Sequence, residues 1–162
     1  MHGPGAATTM VRDGAAAEHL TDETRDPMSE ESNKHLVAEA FDAWAAGTGG
    51  VFDLLAEDAN WTIVGNSVAS ATYPTRAAFI DTVITPFNAR LSSPLVPSVR
   101  ALYADGDTVV ALFDASATVR DGSRYDNTYA WFLTMREHRI VSAVAFFDSV
   151  EFNDFWARVQ PA

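Results

Sequence analysis

Thr108-Val109-Val110-Ala111-Leu112-Phe113-Asp114-Ala115-Ser116-Ala117-Thr118-Val119 alternates with a period of two. From Val109 to Val119 every odd position is apolar, while the even positions include Asp114, Ser116 and Thr118. Side chains of a strand point alternately to its two faces, so the odd face is the core face. The alanines at 111, 115 and 117 are small, which leaves room for a cavity above that face. The same parity in the next apolar run presents Tyr125, Asn127, Tyr129, Trp131, Leu133 and Met135, and in the run after it Ala143, Ala145 and Phe147. A loop of three or five residues at Asp121-Gly122 keeps odd opposite odd. A two-residue turn would pair Asp114 with Tyr129 and carry a carboxylate into the interior.

Working outward, period-two strands are expected over about Val96–Tyr103, Thr108–Val119, Tyr125–Met135 and Ile140–Phe147, with turns at Asp105-Gly106-Asp107, Asp121-Gly122-Ser123 and Arg136–His138. Upstream the period becomes helical. Ser29 is placed to cap a helix carrying Leu36, Ala40, Phe41 and Trp44 on one face and ending at Gly47. A short second helix is expected over about Thr48–Ala56, then a strand at Ala59–Gly65, a polar loop at Asn66–Thr72, and a third helix from Pro74 that Pro86 should kink or shorten. A last short helix covers roughly Val150–Val159. Helices first and hairpins afterwards give an α+β fold, with three N-terminal helices laid over one face of a curved antiparallel sheet and a short C-terminal helix. Residues 1–27 hold five acidic residues against Arg12 and Arg25 and show neither period, so they are read as a disordered tail. The domain is read as 28–160, with Met28 an alternative start.

A chain of 162 residues with 48% hydrophobic and 20% charged content is in the range of one globular domain. The net charge of −11 disfavours nucleic acid and anionic membrane surfaces as partners. Without cysteine the chain has no disulfide, thiol nucleophile or thiolate metal site. With no apolar run near the ~20 residues of a membrane span and no signal-peptide pattern, a cytoplasmic location is expected.

Several local patterns occur in a particular order: Trp61-x-x-x-Gly65, Tyr73-Pro74-x-x-x-x-Phe79, Ala104-Asp105-Gly106-Asp107, Tyr125-x-Asn127-x-Tyr129-x-Trp131, then Ile140 and Phe146-Phe147-Asp148. Over about residues 30–158 this set resembles the SnoaL-like branch of the nuclear transport factor 2-like superfamily. The resemblance implies a cone-shaped half-barrel and a small-molecule pocket, in a superfamily of isomerases, cyclases, epoxide hydrolases, dehydratases and non-enzymes. It also implies pairing into homodimers, here through an outer face carrying Leu112, Ala130 and Phe132. The acid–base groups of the best-known members are absent. By the resemblance, Phe41, Ile63 or a neighbour, and Trp131 stand where a ketosteroid isomerase has its tyrosine donor, aspartate base and aspartic acid donor. Ala145 stands where SnoaL-type cyclases and limonene-epoxide-type hydrolases have an aspartate.

The interior set therefore offers phenols, an amide and an indole, groups able to orient a carbonyl or hydroxyl inside an apolar cavity. Tyr129 and Asn127 are the candidate catalytic residues, acting by electrostatic stabilisation, and Trp61, Tyr73, Tyr125, Trp131 and Phe147 the candidate substrate-binding walls. Mutual hydrogen bonding of these groups in an ordinary core is the competing reading. Asp148, with Glu151 three residues on, reads as an Asp-x-x-Glu helix cap rather than a catalytic acid. The four histidines are not spaced for a metal, and no cofactor-binding motif is present. The expected function is that of a cofactor-independent small-molecule enzyme acting on an apolar, oxygen-bearing substrate. A non-catalytic ligand-binding or dimerisation module is the alternative.

Overall fold

A computed structural model describes residues 27–161. The proposed tail and the Met1-or-Met28 question fall outside or at the edge of those residues. The first helix, α1, spans Pro27–Ala46, so Ser29 lies within its first turn and not ahead of it. Gly47, at φ 75°, ends it: the Gly47 N–H reaches the Trp44 carbonyl and the Thr48 N–H the Ala43 carbonyl. This left-handed glycine closure satisfies two carbonyls that the helix leaves open.

The expected second helix is reduced to one 3-10 turn, Val51–Leu54. Leu55 already belongs to strand β1, Leu55–Ile63, where it pairs with Ile140 and is buried. Its apolar side chain is buried by the sheet, and Gly49 and Gly50 discourage a longer helix. A short strand, β2 (Ala71–Tyr73), follows within the stretch expected to be loop. Helix α2 then runs through three contiguous pieces: Arg76–Phe79, a π-helical turn at Ile80–Ile84, and Thr85–Asn88. The Thr75 side chain caps it by accepting from the Ala78 N–H. Pro86 brings no N–H and its ring crowds the carbonyl four residues back. The helix absorbs this without breaking: the Thr85 N–H donates to Ile80, five residues back, just before the proline.

Strands β3 (Val96–Asp105), β4 (Thr108–Thr118), β5 (Arg124–Arg136) and β6 (Arg139–Phe147) form the expected hairpins, and α3 (Ser149–Arg158) closes the fold. The sheet order is β2-β1-β6-β5-β4-β3, an unclosed curved sheet with β2 and β3 at its ends. It is not wholly antiparallel, because β1 lies parallel to β6. A helical segment separates β1 from the hairpins, so the chain can return to the sheet in that direction. Bulges interrupt the β3–β4, β5–β6 and β1–β6 pairings, and each extra residue bends the sheet further.

Phe113 pairs with Tyr129, Ala115 with Asn127 and Ala117 with Tyr125, so odd faces odd as the longer β4–β5 loop requires. The odd positions of β4 and β5 are buried throughout. Phe113 touches the rings of Phe41, Trp44, Tyr129 and Trp131 at centroid distances of 4.8, 5.8, 5.0 and 4.8 Å. Burying one such side chain stabilises the fold by about 1.5–3 kcal/mol. Helix α1 covers β3 and β4, the first piece of α2 packs on β1, and α3 packs on β5. The region left between α1, α2 and the inner face of the sheet is not filled.

Candidate functional site

That unfilled region is a cavity of about 630 Å³. Its wall is mostly apolar. Phe79, Val83, Ile84 and Phe87 come from α2, Trp44 from α1, Phe52 from the 3-10 turn, Phe152 from α3, and Trp61, Ile63, Trp131, Ala145 and Phe147 from the sheet. The 89–95 connection contributes Leu91, Ser92, Ser93, Pro94 and Leu95. The Trp44 indole N–H holds that connection through the Leu95 carbonyl at 2.8 Å while its ring lies parallel to Trp131, centroids 5.9 Å apart. Asp53 is the one charged residue among the lining residues; it is exposed and its Oδ2 accepts from the Gly50 N–H at 3.0 Å.

Tyr129 borders this cavity, and its hydroxyl is buried. Its Oη lies 2.6 Å from that of Tyr125, and the Asn127 side-chain N–H donates to Tyr125 Oη at 2.9 Å. The rest of the Asn127 amide is committed. Its Nδ2 also donates to the Asp148 carbonyl at 3.0 Å, and its Oδ1 accepts from the backbone N–H of Thr128 at 2.8 Å and of Asp148 at 3.1 Å. Burial pushes the Tyr125 phenol up to about 12, against the lowering effect of its hydrogen bonds, and holds Tyr129 well above its ordinary value, where the Tyr125 phenol adds to the effect. Both phenols are therefore uncharged at neutral pH and serve as hydrogen-bonding groups, not bases.

Of the seven residues singled out from sequence, Trp61, Tyr129, Trp131 and Phe147 border the cavity, and three stand elsewhere. Tyr125 sits behind Tyr129 against Phe87 and Phe155, at centroid distances of 5.3 and 4.6 Å. Asn127 joins Tyr125 to the start of α3 and faces a separate outer cleft with Asp114, Asp126, Asp148 and Glu151. The Tyr73 hydroxyl donates to the Ala69 carbonyl at 2.7 Å, which ties down the loop before β2, and burial raises its pKa.

Asp114 stays on the outer face. It accepts from Arg100 Nε at 2.7 Å and Thr128 Oγ1 at 2.6 Å, bonds that hold its carboxyl below the usual range. Asp148 caps α3, accepting from the Val150 N–H at 3.0 Å. His35 pairs with Glu39 at 3.1 Å on the outside of α1, and His138 lies in the β5–β6 turn at φ 64°. Among the described residues no three His, Asp or Glu side chains gather to hold a metal.

Trp44, Phe52 and the 91–95 connection are wall residues that parity could not reach, because they lie outside the hairpins. Trp44 carried the one available signal, an apolar residue on the inner face of α1. Sequence reading also missed Arg90. It is buried, its Nε donates to the carbonyls of Val159 at 2.7 Å and Trp156 at 3.3 Å, and its Nη1 to that of Pro86 at 2.8 Å. Its guanidinium stacks 3.8 Å from the Trp156 ring centre. A lone arginine in a connection gives no periodic signal.

Known proteins fit this architecture. Bal32a, from a soil-derived mobile gene cassette, superposes with a TM-score of 0.65 at 20% identity, over 79% of this chain and 98% of its own. A provisionally named SnoaL-like polyketide cyclase from Jannaschia sp. CCS1 gives 0.62 at 15% identity, over 79% and 93%. TerC, co-crystallised with polyporic acid, gives 0.61 at 16% identity, over 77% and 98%. Identities this low speak for the fold alone. No curated protein sequence matches the chain. The model of the SnoaL-like domain matches residues 37–143, from the middle of α1 through β1, α2 and the hairpins into β6. The chain belongs to the SnoaL-like family.

Proposed function

We propose that the cavity takes up an apolar, oxygen-bearing small molecule and that the chain acts on it without a cofactor, by isomerase-, cyclase-, hydrolase- or dehydratase-like chemistry. The observation that carries this reading is a single buried hydroxyl, Tyr129, on the inner wall of a cavity otherwise lined there by aliphatic and aromatic groups. A phenol among apolar groups donates strongly to an oxygen that gains negative charge, because low local polarity strengthens the bond. Trp61, Trp131 and Phe147 supply the flat apolar walls.

A non-catalytic ligand-binding module is the second reading. It is favoured by one observation: among the described residues no carboxylate or imidazole lines the inner wall, and Asp53 sits exposed. Identifying by mass spectrometry any molecule that co-purifies, then assaying it with Tyr129→Phe, separates the two. For an enzyme, turnover falls on the order of a hundredfold with little change in binding. For a binder, affinity alone weakens, by about 0.5–1.5 kcal/mol. A variant indistinguishable from the parent in both assays would remove Tyr129 from the site. We also propose that two copies pair through the outer face of the sheet, where Phe132, Val144 and Phe146 are exposed.

A further inference from the structure

The hydrogen bonds around Asn127 have only one consistent direction. Its Oδ1 meets two backbone N–H groups, which can only donate, and its Nδ2 meets the Asp148 carbonyl, which can only accept. The amide cannot be turned over without breaking all three, so the group facing Tyr125 Oη is an N–H. Tyr125 Oη therefore accepts from Asn127 and still has one proton to place. Among the described residues its only acceptor is Tyr129 Oη at 2.6 Å. Were Tyr129 the donor, the Tyr125 proton would be stranded between Phe87 and Phe155 in a residue that is 1% exposed. With Tyr125 as donor, the leftover proton belongs to Tyr129, the phenol that borders the cavity.

We propose that Asn127, acting through Tyr125, aims the one spare proton of the phenol pair into the cavity, so that the site selects neutral ligands presenting a hydrogen-bond acceptor, a carbonyl oxygen above all, to Tyr129. Asn127 is then a positioning residue, with no capacity left for a ligand of its own. The preference for a neutral ligand follows from the wall: among the described residues no Lys, Arg or His lines it to pair with a carboxylate, and Asp53 would repel one. This selectivity rests on the small-molecule reading of the cavity and specifies which face of the ligand the cavity reads.

The test uses the full chain and three probes: 1-tetralone labelled with ¹³C at the carbonyl, tetralin, and 2-naphthoate. Binding is read by tryptophan fluorescence, since Trp44, Trp61 and Trp131 all border the cavity. The carbonyl environment is read by difference infrared spectroscopy. Tetralone should bind about threefold to tenfold more tightly than tetralin, with its carbonyl band lowered relative to hydrocarbon solvent, and naphthoate should bind most weakly. Tyr129→Phe should erase both the preference and the band shift.

Asn127→Asp tests the direction. An ionised carboxylate only accepts, so it draws the Tyr125 proton and thereby the Tyr129 proton away from the cavity. The band shift should vanish in that variant and return on acidification, a pH dependence that a merely structural role would not produce. If that variant does not fold, Tyr125→Phe decides instead: the band shift should shrink, whereas growth would mean that Tyr129 natively donates to Tyr125 and would overturn the proposal. Equal binding of tetralone and tetralin with an unshifted carbonyl, or tightest binding of naphthoate, overturns the proposal but leaves the pocket. Absence of any bicycle from the cavity overturns the pocket reading itself.

Discussion

Replacing Arg90 by methionine should be among the most damaging single changes outside the cavity. Arg90 is 5% exposed, and among the described residues its guanidinium meets no carboxylate. Its charge is met by carbonyls at the C-terminal ends of two helices, Pro86 of α2 and Trp156 and Val159 at the end of α3, where helix dipoles present partial negative charge. Hydrogen bonds to a charged group contribute about 1.5–3 kcal/mol each, and a cation over an indole about 0.5–2 kcal/mol. Desolvating the guanidinium offsets much of that sum, and burial does lower its pKa. Methionine keeps most of the packing volume but leaves the carbonyls of the last turns without their donor. A net loss of about 2–4 kcal/mol is expected, which at about 2–4 °C per kcal/mol lowers the melting temperature by roughly 4–16 °C. Arg90→Lys, which keeps the charge but not the fork, should fall between the two. Thermal melting followed by circular dichroism measures the shift, and amide exchange in α3 should rise with it. A methionine variant melting within 1 °C of the parent would falsify the view that this side chain locks α3 onto α2.

Further outcomes are expected elsewhere. Asp148→Asn should leave stability nearly unchanged because asparagine caps as well as aspartate, while Asp148→Ala should cost about 0.5–2 kcal/mol in a denaturant titration. Because Tyr125 is held protonated up to about pH 12 in the fold but ionises near 10 when unfolded, stability present below pH 10 should decline between those values. Absorbance near 295 nm should show Tyr125 ionising only at about pH 12, and its ionisation close to pH 10 would contradict the buried pair. Light scattering at micromolar concentration should give the mass of two chains, and Phe132→Glu, which places charge on the exposed sheet face, should halve it. A parent that is already monomeric would rule out the pairing.

The inner face of the sheet was legible because β4 spells it out. A strict alternation names the inner side chains of β4, and the longer of the two possible β4–β5 loops, which the structure adopts, then fixes which side chains of β5 and β6 share its face. That reasoning placed Tyr129, Trp131 and Phe147 together correctly. It could not distinguish Tyr129 from Tyr125 and Asn127, which share its parity but sit further along the strand, beneath α3 and away from the cavity. Position along a strand depends on where helices land, which parity does not encode. The parallel β1–β6 pairing was illegible for the same reason, being a contact between segments about 80 residues apart in sequence. Leu55 was misread because the short apolar run Val51-Phe52-Asp53-Leu54-Leu55-Ala56 fits the end of a helix or the start of a strand equally well, and β2 is too short for any period to show. Asn127 looked like a site residue from its chemistry alone; only the partners of all its polar atoms reveal that the backbone has claimed it.

The π-helical turn in α2 also bears on how such a cavity changes over evolutionary time. Such a turn amounts to one residue inserted into an α-helix, and deleting a residue there would restore ordinary winding. Because the wider turn takes up the extra residue, the pieces on either side would keep nearly the same relative orientation. Phe79 lies before the turn and Phe87 after it, and both face the cavity. A single-codon deletion would thus tighten the stretch between them, where Val83 and Ile84 line the cavity, without re-aiming either aromatic or touching any strand. The contour of the cavity would in this way shift by a length change in one helix, while the sheet and the phenol pair it carries remained as they are.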